Sequence, residues 1–185
     1  MDDGQAIRRM RNGDIGGLEF LVARYQVKAV RTAFLITHDR QTAEDVVEDA
    51  FIRIFHRIRQ FDESRSFEPY FMRSVVNAAL NVVQKESRVR QRAPDVGSET
   101  LENLFTQAES VETQVEFAQL KHQIMDALSN LPPRQRAVIV QRYYLDMSEK
   151  EMAEVLDAAP GTVKWLLHAA RCRLRALLGS ERKAE

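Results

Sequence analysis

Lys164, Trp165, His168, Arg171 and Arg175 follow one another at spacings of one, three, three and four residues, which places them along one side of an α-helix. Cations in such a row neutralise phosphates, and those near the helix start reach base edges in a DNA major groove. A solvated amphipathic helix carries the same charges, so the row alone does not separate the two readings. A second group lies earlier. Phe61, Phe67, Tyr70 and Phe71 flank the polar stretch Ser64-Arg65-Ser66, with Arg73 and Asn77 beyond it. Opening a duplex costs a few kcal/mol per unstacked base, so a surface that does it must offer aromatic stacking or a pocket in return. Loop 62–67 is the candidate receiver of an extruded base. Phe67 and Phe71, one turn apart, also fit a core, and Tyr70, off their face, is the better stacking candidate.

Asp45, Glu48 and Asp49 form an acidic group on a helix whose other side is Val47, Phe51 and Ile54. Taken alone, such a group reads as a solvated face. No His, Ser or Cys partners these carboxylates in a recognisable catalytic constellation. His38, His56, His122 and His168 are scattered without metal-ligand spacing. The single Cys172, between Arg171 and Arg173, excludes an intrachain disulfide and reads as an ordinary helical position. The residues point to no enzyme, no metal and no cofactor.

The carriers of these groups are helices. Ser148-Glu149-Lys150-Glu151 is a capping box opening a helix that buries Met152, Ala153 and Leu156. Asp157-Ala158-Ala159 turns the chain, and Pro160-Gly161-Thr162-Val163 starts a second helix that buries Val163, Leu167, Ala170, Leu174 and Leu177 or Leu178. Two helices joined by so short a turn, the second basic on its outer side, match a DNA-binding helix-turn-helix. Upstream, Phe117, Leu120, Ile124, Leu128 and Leu131 mark a helix that stops at Pro132-Pro133. In the first half, Leu18, Leu21/Val22 and Tyr25 lead to Val30 and Ala33/Phe34. Val47, Ala50/Phe51, Ile54 and Ile58 follow a Thr42-x-x-Asp45 start resembling a capping box, and Phe67, Phe71, Val75/Val76, Ala79/Leu80 and Val83 form a third stripe. The fold class is all-α.

The 185 residues, 44% hydrophobic and 29% charged, suffice for one good core or two small ones, and the scarcity of Gly (seven) and Pro (five) argues against a turn-rich β fold. The net charge is zero, but it is unevenly laid out. Residues 1–93 carry 16 bases against 13 acids, residues 94–117 six acids and no base, and residues 118–185 11 bases against eight acids. The acidic stretch begins at the turn-forming Ala93-Pro94-Asp95-Val96-Gly97-Ser98. It reads as a flexible linker (94–110) between two helical domains, 1–93 and 111–185, the alternative being a surface loop inside one domain. Apolar runs such as Ala137-Val138-Ile139-Val140 fall far below the ~20 residues needed to span a bilayer. The acidic start Met1-Asp2-Asp3 lacks the basic opening of a signal peptide. A cytoplasmic protein with no membrane insertion is expected.

Three motif sets carry a family resemblance. Leu131-Pro132-Pro133-Arg134-Gln135-Arg136, Tyr143-Tyr144-Leu145-Asp146-Met147-Ser148-Glu149-Lys150-Glu151-Met152-Ala153 and Gly161-Thr162-Val163-Lys164, with Arg171 and Leu174-Arg175 beyond, resemble the C-terminal domain of extracytoplasmic-function sigma factors. The resemblance implies binding of the −35 promoter element through Gly161, Thr162, Lys164, Trp165, His168, Arg171 and Arg175, and docking on the β flap of RNA polymerase. Ala43-Glu44-Asp45-Val46-Val47-Glu48-Asp49-Ala50-Phe51 is similar to the helix with which that family grips the β′ clamp helices, which implies polymerase contacts by Asp45, Glu48 and Asp49. Ser64, Arg65, Phe67, Tyr70, Arg73 and Asn77 fall on the segment that reads and opens the −10 element. Lys85, Arg88, Arg90 and Arg92 form a basic run suited to phosphates or to a helix end. The acidic linker either enters the polymerase cleft or only spaces the domains.

Some positions depart from the family pattern. Tyr70 stands where Trp is common, and Asn81 where Asp is usual. Asp157 and Ala159 replace the turn Gly and the Ser cap, the latter a loss of about 1 kcal/mol, although Asp tolerates left-handed backbone. Leu166 and Ala169 replace bases expected near DNA and leave apolar surface around Trp165, a patch suited to a partner, with an anti-sigma factor the natural candidate. The expected function is an alternative sigma factor that directs promoter-specific initiation. The alternatives are a helix-turn-helix regulator whose residues 1–93 sense a ligand or dimerise, or a degenerate sigma-like protein that titrates an anti-sigma factor.

Overall fold

The structure, a computed structural model, describes residues 1–90 and 111–181. It divides into two compact units, Met1–Ser87 and Arg88–Glu185, and every regular element among the described residues is helical. None of these helices is long and apolar enough to cross a membrane. The acidic stretch 94–110 and Arg92 lie outside the described residues.

The N-terminal unit holds α1 (Asp3–Arg11), α2 (Gly16–Thr37), α3 (Arg40–Arg57), a 3-10 turn (Ile58–Gln60) and α4 (Phe67–Arg90). The sequence stripes gave no sign of α1, yet it is locally well specified. The Asp2 side chain accepts from the Gln5 amide at 2.7 Å, the Gln5 side chain accepts from the Asp2 amide at 3.0 Å, and Ala6, Ile7 and Met10 are buried. The turn after α1 passes through Gly13 at φ 81°. At Gly17 the two helices touch closely enough that a Cβ would sit 2.2 Å from the Ala6 carbonyl oxygen. Only glycine permits that approach.

The start of α3 differs from the expected capping box. Asp39, in extended backbone, is the N-cap, and its carboxylate accepts from the Thr42 amide at 2.6 Å. Thr42 therefore lies inside the first turn, and the Asp45 carboxylate accepts instead from Gln41 Nε2 at 2.9 Å. The stripes themselves fall inward: Val47, Ala50, Phe51, Ile54 and Ile58 from α3 and its turn are buried, as are Phe67, Phe71, Val75, Val76, Ala79 and Leu80 from α4, with Val83 half-buried. The Phe51 and Phe71 rings pack together at 4.3 Å.

The C-terminal unit holds α5 (Val111–Ser129), α6 (Pro133–Tyr143), α7 (Glu149–Val155) and α8 (Pro160–Glu181), with α8 packed against each of the other three. On α5 the expected apolar row is only partly inward. Leu120 is 52% and Ile124 42% exposed, while Met125, Ala127, Leu128 and Leu131 form the buried side. Pro132 and Pro133 end one helix and start the next, which leaves carbonyls without helical partners. Arg136, only 7% exposed, supplies donors there: its guanidinium donates to the carbonyls of Ser129 at 2.8 Å, Leu131 at 3.2 Å and Leu128 at 2.9 Å, the last of which also takes the Leu131 amide at 3.0 Å. Burial pushes its pKa down to about 10, so it stays charged at neutral pH and its hydrogen bonds are charge-assisted.

Arg136→Met keeps much of the apolar stem and takes the guanidinium donors away from these carbonyls. Urea unfolding of the variant is expected to show a loss of about 2–3 kcal/mol.

Candidate promoter and polymerase interfaces

Helix α8 is built from both ends of its preceding turn. Ser148 and Glu151 form the expected capping box of α7, and the Ser148 hydrogen bonds hold the Glu151 carboxyl below its ordinary range. Helix α7 then ends with Asp157 at φ 46° and the Ala158 amide donating to the Ala153 carbonyl at 3.0 Å, a Schellman arrangement with Asp where Gly is usual. The amides of Thr162 and Val163 close on the Ala159 carbonyl at 2.9 and 3.3 Å. The left-handed residue thus sets the angle between α7 and α8 without help from a glycine.

Gly161, Thr162, Lys164, Trp165, His168, Arg171 and Arg175 are all exposed. At 3.6 residues per turn, all of them except Thr162 fall within a sector of about 120°, opposite the buried Val163, Leu167 and Ala170. Trp165 stands 63% exposed at one edge of this sector. Two cations are already partnered: Lys164 Nζ lies 3.8 Å from Glu149 on α7, and Arg171 Nε donates to the Tyr143 hydroxyl at 3.0 Å. Tyr143, itself 64% exposed, extends the surface onto α6. His168 Nε2 is 3.7 Å from Cys172 Sγ. Leu166 corrects the sequence reading: it is 6% exposed, because it lies three residues after Val163 and four before Ala170 on the same side of the helix and belongs to the core. It removes no base from the outer face.

In the N-terminal unit, loop 61–66 leaves the 3-10 turn with Phe61 buried and Asp62, Glu63, Ser64, Arg65 and Ser66 exposed. The Asp62 carboxylate accepts from the Ser64 amide at 3.0 Å and hydroxyl at 2.7 Å, and lies 3.5 Å from Arg65 Nε. The Ser64 hydrogen bonds hold Asp62 below the ordinary carboxylate range. Ser64 thereby shapes its own loop as well as facing solvent. Tyr70, Arg73 and Asn77 share the next face of α4 at i, i+3 and i+7 spacing, with Tyr70 36% exposed and its ring 4.8 Å from that of Phe61, tilted by 54°.

Phe67 does not join them. It was expected among the promoter-facing residues, but it is 2% exposed. Its ring lies 5.6 Å from Tyr25, 5.9 Å from Phe61 and 5.8 Å from Phe71, nearly parallel to the last. Burying an aromatic ring among three others is worth more than presenting it to water. Tyr25 is anchored in turn: burial and a 2.5 Å hydrogen bond to Asp3 hold its hydroxyl protonated well above the usual phenol range.

On α3, Asp45, Glu48 and Asp49 are exposed on one face. Ile52, 46% exposed, lies on the same face, seven residues after Asp45. Helical spacing was the available signal for it, but an apolar residue among charges is easily assigned to the core.

Comparisons with known proteins bring these surfaces together. Sigma-70 region 2 matches residues 21–89, and Sigma-70, region 4 matches residues 121–174. The ECF RNA polymerase sigma factor SigW of Bacillus subtilis is 30% identical over 183 residues, covering 93% of this chain and 94% of that one. The chain belongs to the ECF sigma factor family. As a sigma factor it binds core RNA polymerase and directs promoter-specific transcription initiation. The ECF RNA polymerase sigma-E factor of Haemophilus influenzae is 28% identical over 178 residues, with 92% of each chain covered. Among solved structures, CnrH in complex with the cytosolic domain of CnrY has a similar fold (TM-score 0.66, 23% identity, 96% of this chain and 97% of that chain covered). So has the sigma factor RpoE in complex with the anti-sigma factor NepR from Bartonella quintana (TM-score 0.65, 22% identity, 87% and 97% covered). Because region 2 occupies the first half, that half is not the unrelated sensor or dimerisation domain that a polymerase-independent regulator would need.

Phe67 and Tyr70 should separate core from surface. Phe67→Ala is expected to destabilise the protein by about 3–5 kcal/mol, and Tyr70→Ala by less than about 1.5 kcal/mol, as read by thermal unfolding.

Proposed function

We propose that this ECF sigma factor divides promoter recognition between two surfaces: the −10 element is opened on loop 62–66 with the Tyr70, Arg73 and Asn77 face of α4, and the −35 element is held on the outer face of α8. The supporting observation is the continuity of the first surface, in which an exposed, internally hydrogen-bonded loop leads directly into a stripe offering one aromatic ring, one cation and one amide. An unstacked base gains a ring face at Tyr70, and the exposed Arg65 and Arg73 meet the strand's phosphates. Phe67 acts from beneath by fixing the loop. The acidic face of Asp45, Glu48 and Asp49, with Ile52 among them, is the polymerase clamp contact, and the region 4 unit docks on the β flap.

On α8, Lys164, Arg171 and Arg175 meet phosphates, while Gly161, Thr162, Trp165 and His168 lie nearest the bases. Lys164 exchanges its Glu149 partner for phosphate when DNA binds. The two solved relatives in complexes support a further reading, that an anti-sigma factor holds this protein inactive in the cytoplasm.

Substituting Ser64 and Arg65 together with Ala is expected to lower promoter opening at least tenfold, measured by permanganate reactivity of −10 thymines, while core-polymerase affinity changes less than twofold. Equal losses in both would remove the loop from the opening step. Lys164→Ala is expected to weaken −35 DNA binding similarly across sequences and to reduce the slope of log K against log salt by about 0.9. An unchanged slope would take Lys164 off the phosphate backbone.

A further inference from the structure

Arg11 is the last residue of α1 and lies outside the residues matched by region 2. Its guanidinium reaches about fifty residues along the chain to the stretch that becomes the opening loop. Nε donates to the Ile58 carbonyl at 3.3 Å, Nη2 donates to the Phe61 carbonyl, and Nη1 donates to the Glu63 carboxylate. Arg8, nearly one turn earlier, places Nη1 3.7 Å from the other Glu63 oxygen. Two of the three acceptors are backbone carbonyls that bracket the 3-10 turn: Ile58 at its start, which also takes the Phe61 amide at 3.1 Å, and Phe61 just beyond its end. The planar arginine fork offers five donors in fixed directions and can meet three divergent acceptors at once, whereas a lysine ammonium on a flexible stem cannot hold that geometry.

The anchor behind the fork is firm. Helix α1 carries a complete capping box, buries Ala6, Ile7 and Met10, and closes on α2 at Gly17, where there is no space for a Cβ. The loop is therefore held at three places: by Arg11 where it begins, by the Asp62–Ser64 hydrogen bonds at its centre, and by buried Phe67 where it ends. A loop already in shape does not spend interaction free energy on being ordered when DNA arrives.

We propose that Arg11 is a positioning residue for promoter opening, which holds loop 62–66 in the form that receives the unpaired promoter strand. The inference rests on the assignment of that loop to the opening step. Arg11 touches neither DNA nor polymerase in this role. The polymerase-facing residues are on α3, so loosening the loop slows opening while leaving polymerase affinity intact. A misplacement of the order of 1 Å at a reacting group costs about 100-fold in favourable cases, so a tenfold effect is well within reach of losing this fork.

The test uses the full chain reconstituted with core polymerase, with 2-aminopurine in the non-template strand of the −10 element reporting opening. Arg11→Gln is expected to slow opening at least tenfold, with core affinity within twofold of the parent and transcription restored on a template already unpaired across the −10 element. Arg11→Lys keeps the charge and the stem and is expected to show most of the same defect. Normal opening in Arg11→Gln, alongside slow opening in the Ser64/Arg65 double variant, would overturn the role of Arg11 and leave the loop assignment standing. Normal opening in the double variant itself would overturn the assignment and this inference with it. If Arg11→Lys lost thermal stability and polymerase affinity together with opening, and the unpaired template gave no recovery, Arg11 would be a strut of the fold and not a positioning residue.

Discussion

Burial of the Phe67 ring is the contact on which the N-terminal unit turns. It is the first residue of α4, and its neighbours come from three other places in the chain: Tyr25 on α2, Phe61 at the mouth of the loop, and Phe71 one turn on. Phe71 in turn packs at 4.3 Å against Phe51 of α3, the rings tilted by 34°. The cluster therefore ties the helix of the acidic face, the helix of the promoter face and the loop between them into one packed object. An aromatic cluster of this kind is directional as well as apolar, since each ring prefers tilted or offset neighbours. The loop's two ends, Phe61 and Phe67, are both inside it. Only Asp62 to Ser66 are left outside, and their polar character follows from that exposure.

The C-terminal unit solves a different problem with a charge. Its α5–α6 corner is set by two consecutive prolines, which cannot donate the hydrogen bonds that the preceding carbonyls require. Arg136 makes good this deficit from inside the core. A buried cation is costly unless its donors are used, and here several are. The corner and the cation are thus one structural unit. On the far side of α8, the Asp157 turn fixes the α7–α8 angle by a left-handed residue. Between these two fixed corners, α8 has little freedom except along its exposed face.

That exposed face is less basic than the family pattern suggests, but not for the reason the linear sequence offers. Leu166 faces the core, so the change there is internal. The outer surface is altered at Trp165, which presents a large flat apolar side chain at one edge of the row. Lys164 and Arg171 are each held by a neighbour from another helix, Glu149 and Tyr143. These partners hold the cations over the protein surface.

The sequence by itself determined the all-helical class, the two-part organisation, the acidic face of α3 and the row on α8. Each of these is encoded by period and local chemistry: apolar stripes every three or four residues, a Ser-x-x-Glu box, prolines and a run of acids. Helix α1 was also written locally, in Asp2, Gln5, Ala6, Ile7 and Met10, but nine residues carry a weak periodic signal. Tertiary structure decided what periodicity leaves open, namely which apolar residues of a wide stripe are covered. It turned Phe67 and Leu166 inward and left Leu120, Ile124 and Ile52 outside. It also decided the partnerships between residues far apart in the chain, above all Arg11 with the loop some fifty residues later. A helix repeats every 3.6 residues wherever it sits, whereas burial and long-range hydrogen bonds exist only once separate segments meet.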